Sequence, residues 1–417
     1  MQIFYRFFLY LCMRLSKTKG VNWMKKFTIF AIGLLVMSAT VNAQRKQIGD
    51  ARTILKSGNN IEQAEKLMVD LLKDSSNLGN TRIYDIWLQA VEKQYLAINE
   101  KMYLKQKVDT TRFFDLAQRM FVVAERLDSV DARPDKKGKV NPVYRKENAE
   151  KMQLYRPNIY YGGAHHLKKG DFKKAFSFFE TYLDCDRQPL FEGYDLMYKD
   201  PKMGEVAYWA TYCGYRMNDP VLTLRHASTA QRDAGKLEYT LQYMAEAWHR
   251  LDDDSMHMAT LWQGFRKYPK SNYFFPRLMD IYNSRGNYEM ADSVVNEALK
   301  TDSLNHLFLF AKSTVMLNLH NYDACLKYCD LLIEKHPDMA DGYYNAGIAC
   351  LDIAQGMDPR KNKAQIRKTY EKARPYMEKY RKLAPDEIDK WAPALYRIYF
   401  NLNMGKQFDE IDRLLKK

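Results

Sequence analysis

The sequence predicts an all-α protein, a right-handed superhelical solenoid of stacked helix–turn–helix units. Three observations predict it. Apolar residues recur at three- and four-residue steps in paired runs, the period of helices buried on one face. From Gly204 onward the pairs return every 34 residues without gaps. Glycine and proline number only 19 and 13 in 417 residues, too few for an all-β chain with many tight turns. At 46% hydrophobic the chain can build a core, and its length implies an extended array or more than one domain.

Residues 1–43 stand ahead of any repeat. Met24-Lys25-Lys26 is a basic start, Phe27 to Met37 an apolar run, and Val41-Asn42-Ala43 a small-residue ending. That is the anatomy of a secretory signal, with cleavage expected between Ala43 and Gln44 and translation expected to start at Met24. The apolar run is shorter than the roughly 20 residues a spanning helix needs, so no transmembrane span is expected in the mature chain. The residue just after the cleavage point is Gln44, not a cysteine that could carry a lipid. The expected location is the periplasm or the outer-membrane surface of a Gram-negative bacterium.

The formal charge is +14, and residues 1–43 hold six basic and no acidic residues, leaving +8. That excess reads as dispersed among acidic residues, apart from short patches such as Asp135 to Lys139. Capture of nucleic acid needs a concentrated basic stripe, so no nucleic-acid partner is expected.

Taken in order, Ile61, Ala64, Met68 and Leu71 mark a degenerate unit. Tyr84 to Leu104 and Phe113 to Leu127 read as a longer hairpin, so 44–130 forms an N-terminal set of degenerate helical repeats. Residues 131–150, charged and containing Pro134 and Pro142, read as a linker. Ile159, Gly163, Gly170, Phe172, Ala175 and Phe179 open the array proper, predicted over 151–385, and an insert including Gln188 to Tyr194 follows them. At the 34-residue period one column reads Ala207, Leu241, Phe275, Leu309, Tyr343. A second reads Thr211, Ala245, Met279, Ser313, Gly347, and a third Ala230, Gly264, Ala298, Leu332. The unit from Ala340 carries an insertion of about 14 residues around Met357 to Lys361, its second helix resuming at Tyr370. Trp391 to Leu415 reads as a terminal helical pair within a capping segment, 386–417.

Within one unit, Phe275, Leu278, Met279 and Tyr282 form one helical stripe and Ala291, Val294, Val295 and Ala298 another. Ser284-Arg285-Gly286-Asn287 breaks them, and glycine there adopts positive φ at little steric cost. The set Phe275, Leu278, Tyr282, Gly286, Tyr288, Ala291 and Ala298 in a 34-residue unit resembles a tetratricopeptide repeat. Other copies end in helix-stopping prolines, Pro269 and Pro337. The resemblance implies that the chain holds partners rather than transforming them, as an adaptor or assembly scaffold. Lys312 and His257 depart from the pattern, standing in columns of small or apolar residues.

Candidate chemistry is sparse. Cys325 and Cys329 are four apart without the second ligand pair of a zinc site, and they occupy columns held elsewhere by Ala291 and Val295. His165 and His166 are adjacent, so on a helix they point about 100° apart and cannot share one ligand. Asp252-Asp253-Asp254 lacks the spacing and glycine of a calcium loop. No nucleotide loop, nucleophile elbow or H-E-x-x-H pair appears. The chain is therefore expected to be no enzyme, with neither cofactor nor metal.

The first helix of each unit is expected to line an inner groove. Tyr208, Tyr212 and Tyr215 with Arg216 recur at four- and three-residue steps on one such helix. Tyr239, Gln242, Glu246, His249 and Arg250 take the matching face of the next, and Asp280 and Asn283 follow. Tyrosine and arginine combine contact area with a polar tip. The competing place for these rings is the seam between repeats. The expected partner is a protein or peptide of the cell envelope; the alternative is a glycan, in a module associated with an outer-membrane uptake system.

Overall fold

The computed structural model describes residues 44–416; the signal and start-site readings concern 1–43 and lie outside them. Every regular element among the described residues is helical. The chain packs as two units, one up to Tyr243 and one from Met244, and the division falls inside a helix, Leu237–Arg250.

The first unit begins with α1 (residues 44–57) and α2 (Ile61–Leu71), then α3 (Thr81–Tyr103) and α4 (Thr110–Asp131). Next come α5 (Arg145–Lys168) and α6 (Phe172–Asp184), a short α7 (Leu196–Lys199), α8 (Met203–Arg216), and a second helix broken into α9 (Pro220–Arg225) and α10 (Ala227–Ala230). Helix α11 (Leu237–Arg250) follows. Much of the segment read as a linker is extended or turn, but α5 starts within it, and its ends are tied. Asp131 Oδ2 accepts from the Tyr144 N–H at 2.9 Å, and Arg145 grips Asp128 through two nitrogens at 2.7 and 2.9 Å.

The second unit runs through α12 (Asp254–Lys267), α13 (Phe274–Ser284), α14 (Tyr288–Thr301), α15 (His306–Asn318), α16 (Tyr322–Lys335), α17 (Ala340–Gln355), α18 (Lys363–Leu383), α19 (Ile388–Asn401) and α20 (Gly405–Leu415). The insertion near Pro359 is mostly helix rather than loop. Only 356–362 is irregular, and α18 starts seven residues before Tyr370, because Lys363 to Lys368 contains good helix formers and no breaker.

All three sequence columns are buried throughout both units, from Ala207 to Tyr343, Thr211 to Gly347 and Ala230 to Leu332. Lone hairpins bury too little to fold alone, so these columns gain stability by packing neighbour on neighbour. The turns repeat as strictly as the core. Positive φ recurs at Asn218, Asp252, Gly286 and His320, every 34 residues. The next residue, Asp219, Asp253, Asn287 or Asn321, caps the following helix, accepting from a backbone N–H at 2.9, 2.9, 3.2 and 3.2 Å. Gly170 and Asp171 make the same turn, with a 3.0 Å cap. Each cap satisfies one N–H that the first helical turn leaves open.

Both departures from the pattern are packed and partnered. Lys312 is buried, its ammonium paired with Asp292 and donating to Asn296 Oδ1 at 2.8 Å. His257 is buried with its ring 5.0 Å from that of His249. Cys325 and Cys329 are buried as free thiols, their sulfurs 3.9 Å apart in a thiol–thiol hydrogen bond and not a disulfide.

Candidate binding surface

In the first unit, helix α8 brings Tyr208, Trp209, Tyr212 and Tyr215 to one side, and Tyr243 of α11 meets them. Tyr243 stacks on Tyr215 at 4.5 Å and 25°, and lies 5.8 Å from Tyr212 and 6.2 Å from Tyr208. Trp209 sets its edge against Tyr208 at 5.0 Å and Tyr212 at 6.0 Å, and Phe172 meets Tyr212 edge-on at 6.2 Å. These offset and edge-to-face geometries match the quadrupoles of the rings. Arg216 lies 4.4 Å over Phe172 and donates to the Tyr212 hydroxyl at 2.5 Å.

Tyr208 is buried at the base of this cluster, in the seam between helices, whereas Tyr212 and Tyr215 are half-buried and Tyr239 is 50% exposed. Burial raises the Tyr208 phenol, as it does Tyr243, whose hydrogen bond to Tyr208 pushes it further up. Both therefore stay protonated and able to donate. Gln242 extends toward Glu238 on its own helix, 3.4 Å away.

The aromatic band continues back along α5. Tyr160 donates to Glu205 Oε1 at 2.7 Å with Lys202 4.6 Å above its ring, and Tyr161 packs against it while remaining 55% exposed. Tyr155 donates to Glu92 at 3.1 Å and leans on Tyr95 at 5.0 Å. Sequence reading missed Tyr155, Tyr160, Tyr161, Trp209 and Tyr243. The 34-residue register held a signal for the last two, since Trp209 and Tyr243 share a column.

The remaining expected residues lie in the second unit and do different things. Glu246 accepts from the Tyr273 hydroxyl at 2.8 Å and from Arg277 at 3.2 Å, with Arg277 itself 3.6 Å over the Tyr273 ring. His249 packs on His257, whose ring burial and the neighbouring imidazole lower below the usual histidine value. Asp280 and Arg250 are exposed, and Asn283 has its Oδ1 buried without a hydrogen-bond partner among the described residues. Among the described residues no group of three or more His, Cys, Asp or Glu is arranged to hold a metal, and no helix is long and apolar enough to cross a membrane.

No family model matches the chain, and no curated protein matches it. Among solved structures, it is similar to the C-terminal part of a TPR repeat-containing protein from Cytophaga hutchinsonii, at 13% identity over 60% of this chain and 92% of that one, TM-score 0.41. It is also similar to yeast Tom70, at 11% identity over 94% and 77%, TM-score 0.34. A third likeness is to the TPR2AB domain of yeast Sti1, solved in a complex with pHSP90, at 11% identity over 60% and 99%, TM-score 0.23. The classification rests on the chain's own hairpins: paired helices, small residues at the crossing columns and a left-handed turn residue at 218, 252, 286 and 320. On that geometry the chain is an all-α solenoid of tetratricopeptide-like repeats.

Proposed function

We propose that the chain is a non-enzymatic, exported scaffold that binds a protein or peptide of the cell envelope through the aromatic band of its first unit. The observation behind this reading is the cluster around Tyr243. Its half-buried rings are pre-packed by one another, so a partner meets large contact area at little further cost in side-chain entropy. Arg216 and the hydroxyls of Tyr212, Tyr215 and Tyr239 supply polar groups at its rim. The expected location, and the choice of an envelope partner, follow from the signal-like start of the sequence.

The test is affinity capture from envelope extract with the full chain and with Tyr215→Ala/Tyr239→Ala. One defined protein held by the wild type and lost by the variant, at unchanged melting temperature, supports the proposal. Retention on polysaccharide columns with no protein partner overturns it in favour of a glycan.

A further inference from the structure

The charge excess expected to be dispersed is concentrated. Residues 360–382 hold ten basic and two acidic residues, a net +8, as large as the excess of the whole chain beyond residue 43. Most of this segment is α18, the helix lengthened by the insertion. Lys368, Lys372, Lys379 and Lys382 fall within about 40° of one line along it, spanning about 21 Å. None has a carboxylate partner among the described residues, while the two acidic residues are engaged elsewhere. Glu371 pairs with Arg367 at 3.2 Å and Glu378 accepts from the Tyr399 hydroxyl at 3.1 Å.

We infer that this lysine row is a docking strip for an acidic segment of a partner polypeptide, separate from the aromatic band. Three observations select that occupant. First, the strip is one helix wide. On one side α16 places Asp323, Asp330 and Glu334 on a cleft of about 610 Å³ that Lys372 also lines, and on the other Glu410 of α20 pairs with Arg381 at 2.6 Å. A flat anionic membrane laid on α18 meets those carboxylates and is repelled; a linear chain lying along the helix avoids them. Second, α18 exposes no large apolar side chain to enter a bilayer, and its tyrosines are buried or half-buried, so no platform is offered to nucleobases. Third, the adjoining cleft carries Leu326, Leu331 and Tyr328 beside its carboxylates, so it admits an uncharged apolar side chain while the segment's own carboxylates stay on the lysine row. The row's charges are lysines, flexible point charges that tolerate irregular carboxylate spacing better than the rigid fork of arginine.

The experiment is fluorescence anisotropy with the full chain and a labelled peptide in which leucine interrupts a run of glutamate at every fourth position. Its glutamine counterpart, phosphatidylglycerol vesicles and single-stranded poly-dT serve as competitors. Wild-type chain is expected to prefer the glutamate peptide over all three. Lys368→Glu/Lys372→Glu/Lys379→Glu/Lys382→Glu is expected to weaken it at least about tenfold, whereas Lys136→Glu/Lys137→Glu/Lys139→Glu leaves it unchanged. Equal binding of the glutamine peptide, tighter binding of vesicles or poly-dT, or an unaffected quadruple variant of unchanged melting temperature overturns the assignment. Because the aromatic variant Tyr215→Ala/Tyr239→Ala leaves this strip intact, failure here and failure of the proposed function are separable.

Discussion

Arg156 Nη1 lies 2.5 Å from Asp200 Oδ2, with the guanidinium stacked 3.7 Å from the Tyr182 ring centre and both side chains nearly buried. Asp200 also accepts from the Tyr182 hydroxyl at 2.7 Å and the Lys202 N–H at 2.8 Å. Burial raises the Asp200 carboxyl, but these donors outweigh it and hold the group below the usual carboxylate range. The pair fastens the inserted segment between α6 and α8 back onto α5.

Removing one member of a buried ion pair leaves the other uncompensated, at about 3–5 kcal/mol. Arg156→Ala should therefore lower the urea midpoint of the first unit by a stability loss of that order and open residues 186–199 to proteolysis. Arg156→Met/Asp200→Asn should recover part of the loss. An insert that stays resistant to protease in Arg156→Ala would count against this role.

The turns make a second prediction. Asn321→Ala removes a cap and should cost about 1 kcal/mol. His320→Gly relieves a left-handed φ of 57° and should be neutral to stabilising by up to about 1 kcal/mol. Thermal melts of the two variants, moving in opposite directions, check the turn geometry.

Two helical glycines should respond differently to the same substitution. A Cβ at Gly214 meets backbone atoms of Leu222 and Thr223 at 2.4–2.7 Å, where α8 crosses α9. A Cβ at Gly347 meets the Met377 sulfur at 2.2 Å, the end of a flexible side chain. Gly214→Ala should cost about 1–3 kcal/mol or more and Gly347→Ala less, since methionine can repack and backbone cannot. Denaturant midpoints of the two variants decide it.

Half-buried Glu125 and buried His226 pull stability in opposite directions with pH. Burial first, then the nearby Asp184, pushes the Glu125 carboxyl up to about 7 from 4.5. Between those values the folded chain keeps a proton the unfolded chain has lost, so this group's contribution falls as pH rises from 4.5 through 7. Burial pushes His226 down to about 4 from 6.5, so its contribution falls as pH drops from 6.5 through 4. Melting temperatures across pH 4–8 should show Glu125→Gln gaining on wild type toward pH 8 and matching it near pH 4. His226→Asn, judged by slope, should flatten the acid side. Parallel curves would remove both assignments.

The repeats were legible because their signal is local and redundant. Ala291 and Ala298 fall two turns apart, and each column is restated at the same 34-residue step. Lys312 was visible as an exception but not explicable, since its partners Asp292 and Asn296 lie on a different helix and their approach depends on the crossing of α14 and α15. The tyrosines of α8 were named as a groove, yet which of them reach solvent was undecided until Tyr243 closed over Tyr208. Gly286 announced its turn, while Asn218, Asp252 and His320 adopt the same φ without announcing it.

Residue pattern alone determined the helices, their pairing and the 34-residue register, because helical period and small-residue columns are written along the chain. Tertiary structure decided which polar and aromatic groups meet. Those meetings join residues tens of positions apart, across helices whose relative rotation no local pattern encodes, and burial then sets whether a tyrosine is core or surface and whether a lysine is paired.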